Sequence, residues 1–182
     1  MGFDFSKIDV SDIVAILTFL SIVIGGIFAY KKWSTGLKLK RAEYINTLIE
    51  KIRLDQRLSD FIYMIDYSKI WYTKEFHDSG ELEAKVDYSL SYFSYICYLK
   101  SQKIIKEKEF QFLKYDVDRI LMNTQVIDYF YNLYHFSSKF NTPLAFNYLF
   151  QYAKMNGFLE PDFYDNKAWI LPDARYHHFL LF

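Results

Sequence analysis

The chain has one cysteine, Cys97, in 182 residues. That excludes an intrachain disulfide framework and fits a reducing compartment. Proline and glycine are scarce, at 3 and 6. Few tight turns and long elements follow, which favours helices over a many-stranded β-fold. There is no net charge. Six of the 22 Lys and Arg but only three of the 22 Asp and Glu fall in the first 41 residues, which leaves 16 against 19 beyond them. A nucleic-acid binder carries the opposite balance, so no nucleic-acid partner is expected.

Signatures of chemistry are also missing. No Glu-x-x-His pair supports a di-iron bundle, and neither His-Glu-x-x-His nor Cys-x-x-Cys occurs. Gly25-Gly26 lies in an apolar run and the other glycines are isolated, so no glycine loop is present to cradle a phosphate. No cofactor or metal is expected. Cys97 lies on an apolar helical stripe and reads as a small core residue. His177-His178 lies in a tail without periodicity and reads as surface. Acid–base pairs are harder to exclude, because a bundle can bring Asp66, Asp87, Asp116 and His135 together. Asp128 and His135 lie two helical turns apart, with Asn132 between them. Whether Asp128 and His135, or Asp66 and Asp87, converge is a matter for the fold.

What is present begins with an apolar run. Ile13 to Tyr30 holds 18 residues without a charge, eleven of them Ile, Leu, Val or Phe. As a helix it spans about 27 Å, enough for a bilayer core of about 30 Å. Ser11 fits an N-cap, with Asp12 at the favourable end of the helix dipole. A cleaved signal peptide needs a positive n-region, but residues 1–12 carry Asp4, Asp9 and Asp12 against Lys7. Only Lys7 precedes the run, whereas Lys31, Lys32, Lys38, Lys40 and Arg41 follow it. The positive-inside rule then puts the N-terminus outside and the C-terminal side in the cytoplasm. The five cations serve topology or anionic lipid headgroups, with Tyr30 and Trp33 at the interface. Thr18, Ser21, Gly25 and Ala29 form a small-residue face on which two such helices could pack.

Gly36 is read as a break, although the juxtamembrane start could also run straight out of the bilayer. The pattern from Leu37 to about Ser68 is helical. Ile45, Leu48, Ile49 and Ile52 form one stripe and Leu54, Leu58, Phe61 and Ile65 another, as on a helix that bends or changes neighbours. His77-Asp78-Ser79-Gly80 signals a turn. Glu81 to Lys100 is the next helix, with Val86, Leu90, Phe93 and Cys97 on one stripe and Tyr88, Tyr92, Tyr95 and Leu99 on another. Two apolar faces mark a central helix, and Asp87, Ser91 and Ser94 mark its polar strip. Lys106 to Asn123 points Phe110, Leu113, Val117, Ile120 and Leu121 inward. Gln125 to Phe140 points Ile127, Phe130, Leu133 and Tyr134 inward. Pro143 suits the first turn of a last helix that Gly157 stops. The tail ends Phe179-Leu180-Leu181-Phe182, too apolar to be left in solvent, and is expected to dock.

The fold class expected is therefore all-α, with one N-terminal transmembrane helix, a bundle of about five helices and an irregular docked C-terminal tail. Residues 1–12 form the short outer N-terminus, 13–30 the span, 31–41 a basic juxtamembrane segment, 42–156 the bundle and 157–182 the tail.

Three strings go beyond periodicity: Ile65-Asp66-Tyr67 with Trp71-Tyr72 and Phe76-His77; Tyr92-Phe93-Ser94-Tyr95-Ile96-Cys97-Tyr98; and Asp128-Tyr129-Phe130-Tyr131-Asn132-Leu133-Tyr134-His135-Phe136. With the anchor, over residues 10–155, they resemble a group of uncharacterised bacterial single-pass membrane proteins with a helical cytoplasmic domain. The resemblance implies the bacterial inner membrane as address and carries no activity or functional residue. The expected function is a non-enzymatic, membrane-anchored module that binds proteins, itself included, with membrane lipids as further partners. Two alternatives stay open: a membrane effector of a phage-defence or stress system that acts by clustering its transmembrane helices, and a helical enzyme at the membrane surface.

Overall fold

The structure, a computed structural model, describes residues 9–67, 69–78 and 80–164. These residues contain six α-helices: α1 Val10–Leu54, α2 Gln56–Asp66, α3 Gly80–Ser101, α4 Glu107–Leu121, α5 Thr124–Phe140 and α6 Asn147–Met155. Short 3-10 turns occupy Phe76–Asp78 and Pro161–Tyr164. There is no strand among the described residues. The chain divides into two compact units, Met1–Asn46 and Thr47–Phe182.

The first unit is helical from Val10. The helix starts one residue before Ser11, so Ser11 lies in its first turn and is not the N-cap. Among the described residues one helix, α1, is long and apolar enough to cross a membrane. Every residue from Asp9 to Trp33 is exposed, as a lipid-facing span requires and a core helix does not. Gly36 does not break it: α1 runs through that position, where nothing lies within 4 Å of a built Cβ. A glycine in a helix interior costs only about 1 kcal/mol relative to alanine, which long flanking helix absorbs.

In the second unit the chain breaks instead at Asp55. Its backbone is extended, with ψ 115°, and its carboxylate accepts the Arg57 N–H at 3.0 Å, capping α2. This break resets the phase of the apolar pattern. Leu48 and Ile52 before it, and Leu58, Phe61 and Ile65 after it, are all buried. Leu54, expected on the second stripe, is 79% exposed because it sits at the joint.

The central helix is α3, which packs against α2, α4, α6 and the turn at Phe76–Asp78. Val86, Leu90, Phe93, Ile96 and Cys97 are buried on it. Two expectations for α3 fail: Tyr95 is exposed, and Ser94, expected in the polar strip, is buried. On α4 the expected inward residues Phe110, Leu113, Val117, Ile120 and Leu121 are all buried. Asn123 caps α5, accepting from the Gln125 and Val126 N–H groups at 3.1 and 3.2 Å. The buried face of α5 is rotated from the one expected. Val126, Tyr129, Phe130, Asn132 and His135 are buried, while Ile127, Leu133 and Tyr134 are half-buried. Aromatic residues on every side of this helix mask its phase.

Pro143 lies in the loop before α6, which begins only at Asn147 after Phe146 takes a left-handed backbone, φ 53°. At the other end Gly157, φ +73°, closes α6. Its N–H bonds Lys154 O at 3.3 Å and the Phe158 N–H bonds Ala153 O at 3.0 Å, the paired bonds of a Schellman stop. Leu159 and Phe163 are buried beyond it. The expected tail residues 165–182, with His177-His178 and the terminal Phe179–Phe182, lie outside the described residues.

The connection between α2 and α3 is held from α5. The Gln125 side-chain oxygen accepts the N–H groups of Trp71 and Tyr72 at 2.6 and 2.8 Å, and its Nε2 donates to Lys69 O at 2.8 Å. Trp71, Tyr72, Phe76 and Tyr129 then form a buried aromatic cluster, with Phe76 and Tyr129 centroids 5.2 Å apart.

Candidate functional site

In the first unit, Thr18, Ser21, Gly25 and Ala29 are all exposed on α1. At 100° per residue they fall within an arc of about 80°. The Ser21 hydroxyl donates to Leu17 O at 2.8 Å, which satisfies it within the helix. Lys31, Lys32, Lys38 and Lys40 are exposed and Arg41 is half-exposed.

In the second unit, the ionisable residues that a bundle could have gathered are separated. Asp66 and Asp116 meet through Arg119, whose guanidinium donates to them at 3.0 and 2.7 Å. Burial pushes the Asp116 carboxyl above its ordinary range, and Arg119 opposes that shift. Asp87 is elsewhere: it accepts the Tyr129 hydroxyl at 2.7 Å. Burial raises its carboxyl too, against the effect of that hydrogen bond. It lines a cavity of about 330 Å³ with His77, Glu83, Tyr129, Asn132 and Phe136. His77 Nδ1 lies 2.7 Å from Glu83 Oε1. Asp66 and Asp87 therefore do not form a pair.

Asp128 and His135 do not share a cavity either. Asp128 lines a shallow recess with Thr124, Ile127 and Phe158. His135 is fully buried, with Nε2 3.1 Å from Phe163 O. A carbonyl only accepts, so Nε2 carries the proton and the ring fastens the segment after α6. Cys97 is buried, and burial pushes its thiol up to about 12. A thiol so protonated is inert as a nucleophile at neutral pH. Among the described residues no group of three or more His, Cys, Asp or Glu side chains could hold a metal ion.

A groove of about 490 Å³ lies between the end of α1, α2 and α4. Ile52 and Ile62 form its floor, and Arg119 with Asp66 and Asp116 closes one end. Tyr63, Phe112 and Tyr115 rim it at 58, 70 and 71% exposure. Aromatic rings left in water beside an apolar floor, with a charge pair at the edge, have the make-up of a protein-docking surface.

These groove residues escape the sequence reading. In a chain with 21% aromatics, an exposed Phe112 and a buried Phe110 look alike until a neighbour is known. The one available signal is phase: Phe112 and Tyr115 lie off the α4 stripe that runs through Phe110, Leu113 and Val117. The Asp87–Tyr129 pair gives no signal at all, since its partners lie 42 positions apart. No family model, no curated protein and no solved structure matches the chain.

Proposed function

We propose that this chain is a membrane-anchored, non-enzymatic protein-interaction module. The observation that carries this reading is the groove rimmed by Tyr63, Phe112 and Tyr115, in a unit tethered by a fully exposed apolar helix. The occupant that suits it is an apolar segment of a protein partner, laid along α4 with its polar edge at Arg119. The membrane supplies the other half of the design. Anchoring confines module and partner to one surface and raises their effective concentration, so a modest groove suffices. The cation asymmetry about the span supports a cytoplasmic domain at a bacterial inner membrane. Buried Leu159 and Phe163 support a C-terminal segment that packs on the bundle.

A second reading, a membrane effector that acts by helix clustering, draws on the exposed Ser21, Gly25 and Ala29 face. Both readings make association the activity and differ in the layer that associates. Photo-crosslinking in intact membranes separates them. A benzophenone amino acid at Phe112 or Tyr115 is expected to form a discrete adduct with a partner, whereas one at Tyr95, on α3, is not. Adducts of equal yield at all three positions, or at none, would remove the groove from the account. A discrete adduct only from a probe at Gly25 would favour the effector.

A further inference from the structure

We propose that Lys31–Arg41 is a collar that gathers anionic phospholipid around α1; the inference rests on the reading of α1 as a membrane anchor. Because α1 is unbroken through this segment, the azimuth of each cation follows from the helical rotation. With Lys31 at zero, Lys32 lies at about 100°, Lys40 at about 180°, Arg41 at about 280° and Lys38 at about 340°. The cations thus occupy every quadrant of the helix. A protein partner would be met by charge on one face. Charge on all faces fits a partner that surrounds the helix, which a headgroup layer does.

Three of the five cations also lack acidic neighbours along the helix. No Asp or Glu occurs between Asp12 and Glu43, so Lys31, Lys32 and Lys38 have no carboxylate within four positions. The usual pairing at i+3 or i+4 is closed to them. Tyr30 and Trp33, with ring centroids 6.2 Å apart and both exposed, mark the depth of the interface beside Lys31 and Lys32. Lys38, Lys40 and Arg41 lie about 12–17 Å further along the axis than Tyr30. The collar therefore has two tiers. The near tier touches headgroups directly. The far tier lies further from them and acts more through solution, so salt weakens it first.

The test uses the full chain in vesicles of phosphatidylcholine with about one-third phosphatidylglycerol, one lipid at a time carrying brominated acyl chains. Bromine quenches nearby tryptophan. Trp71 is buried, and Trp33→Phe reports the background from every tryptophan but Trp33. Per mole of quencher, brominated phosphatidylglycerol is expected to quench Trp33 roughly threefold more than brominated phosphatidylcholine, with the excess shrinking as salt rises. K31Q/K32Q is expected to remove most of the excess and K31R/K32R to keep it. K38Q/K40Q/R41Q is expected to remove mainly the salt-sensitive part. Equal quenching by both lipids at every salt concentration would overturn the collar and leave the anchor standing. No quenching by either lipid, with protein that does not float with the vesicles, would overturn the anchor and the collar with it.

Discussion

The hydroxyl of Tyr88, on α3, donates a 2.6 Å hydrogen bond to the Asp55 carboxylate at the break between α1 and α2. The same carboxylate caps α2 and takes Arg57, whose guanidinium lies 3.6 Å from the centre of the Tyr88 ring. The joint that lets Ile52 and Leu58 reach one core is therefore held from the central helix. Asp55→Ala is expected to cost about 1–2 kcal/mol and Tyr88→Phe about 1 kcal/mol, read by denaturant unfolding of the full chain in mild detergent. The Tyr88 bond, followed by Arg57, lowers the Asp55 carboxyl from 3.8 to about 2. A carboxyl depressed by folding stabilises above its unfolded pKa and loses that contribution as pH falls through the folded one. Between about pH 4 and 2 the wild type should thus lose stability that Asp55→Asn never had. Parallel pH curves for the two would contradict the joint.

Asp87 carries the opposite sign. Burial raises its carboxyl despite the Tyr129 hydroxyl, so its ionisation opposes folding above the folded pKa and the penalty fades as pH falls. Asp87→Asn keeps an oxygen for Tyr129 and removes the charge. The variant is expected to be at least as stable as wild type at pH 7, with its advantage vanishing toward pH 4. A variant clearly less stable at pH 7 would contradict burial as the dominant influence on Asp87 and show that Tyr129 and His77 outweigh it.

Two phenylalanines two positions apart on α4 separate core from surface. Phe110 is fully buried and Phe112 is 70% exposed on the groove rim. Phe110→Ala should cost about 3–5 kcal/mol, the transfer term plus a cavity. Phe112→Ala should change stability by no more than about 0.5 kcal/mol and weaken capture of the groove partner. Similar unfolding midpoints for the two variants would contradict the packing of α4.

Much of the fold is legible in the sequence because burial follows helical spacing on α3 and α4: Val86, Leu90 and Phe93, and Phe110, Leu113 and Val117, are buried as their spacing requires. The jump in stripe phase between Ile52 and Leu58 is also visible, but the break belongs to Asp55, whose side chain competes for backbone N–H groups, and not to Gly36. Glycine lacks a competing side chain and is simply carried along. The start of α6 is hidden because Phe146 reaches a left-handed backbone without glycine. The groove is hidden for another reason: a helix pattern shows which residues share a face, not whether that face meets a neighbour. Tyr63, Phe112 and Tyr115 become distinctive only once α2 and α4 are seen to line one groove.

Pairing within the membrane depends on close approach, since hydrocarbon gives helices no hydrophobic reason to associate. Gly25 has nothing within 4 Å of a built Cβ, so its face is open within the chain. Gly25→Ile is expected to weaken self-association of the span far more than Ile24→Leu, in a membrane two-hybrid or cross-linking assay. Equal signals would make the small-residue face incidental.

The most direct test of the account is the topology proposed for α1. Paired reporters fused after Phe182 in a bacterial host read it: a fluorescent protein that matures only in the cytoplasm and alkaline phosphatase, which needs the oxidising periplasm. The five-to-one excess of cations after the span over those before it predicts a fluorescent, phosphatase-inactive product that stays with the membrane through an alkaline carbonate wash. Strong phosphatase activity would reverse the orientation, and release of the protein by carbonate would contradict the anchor itself.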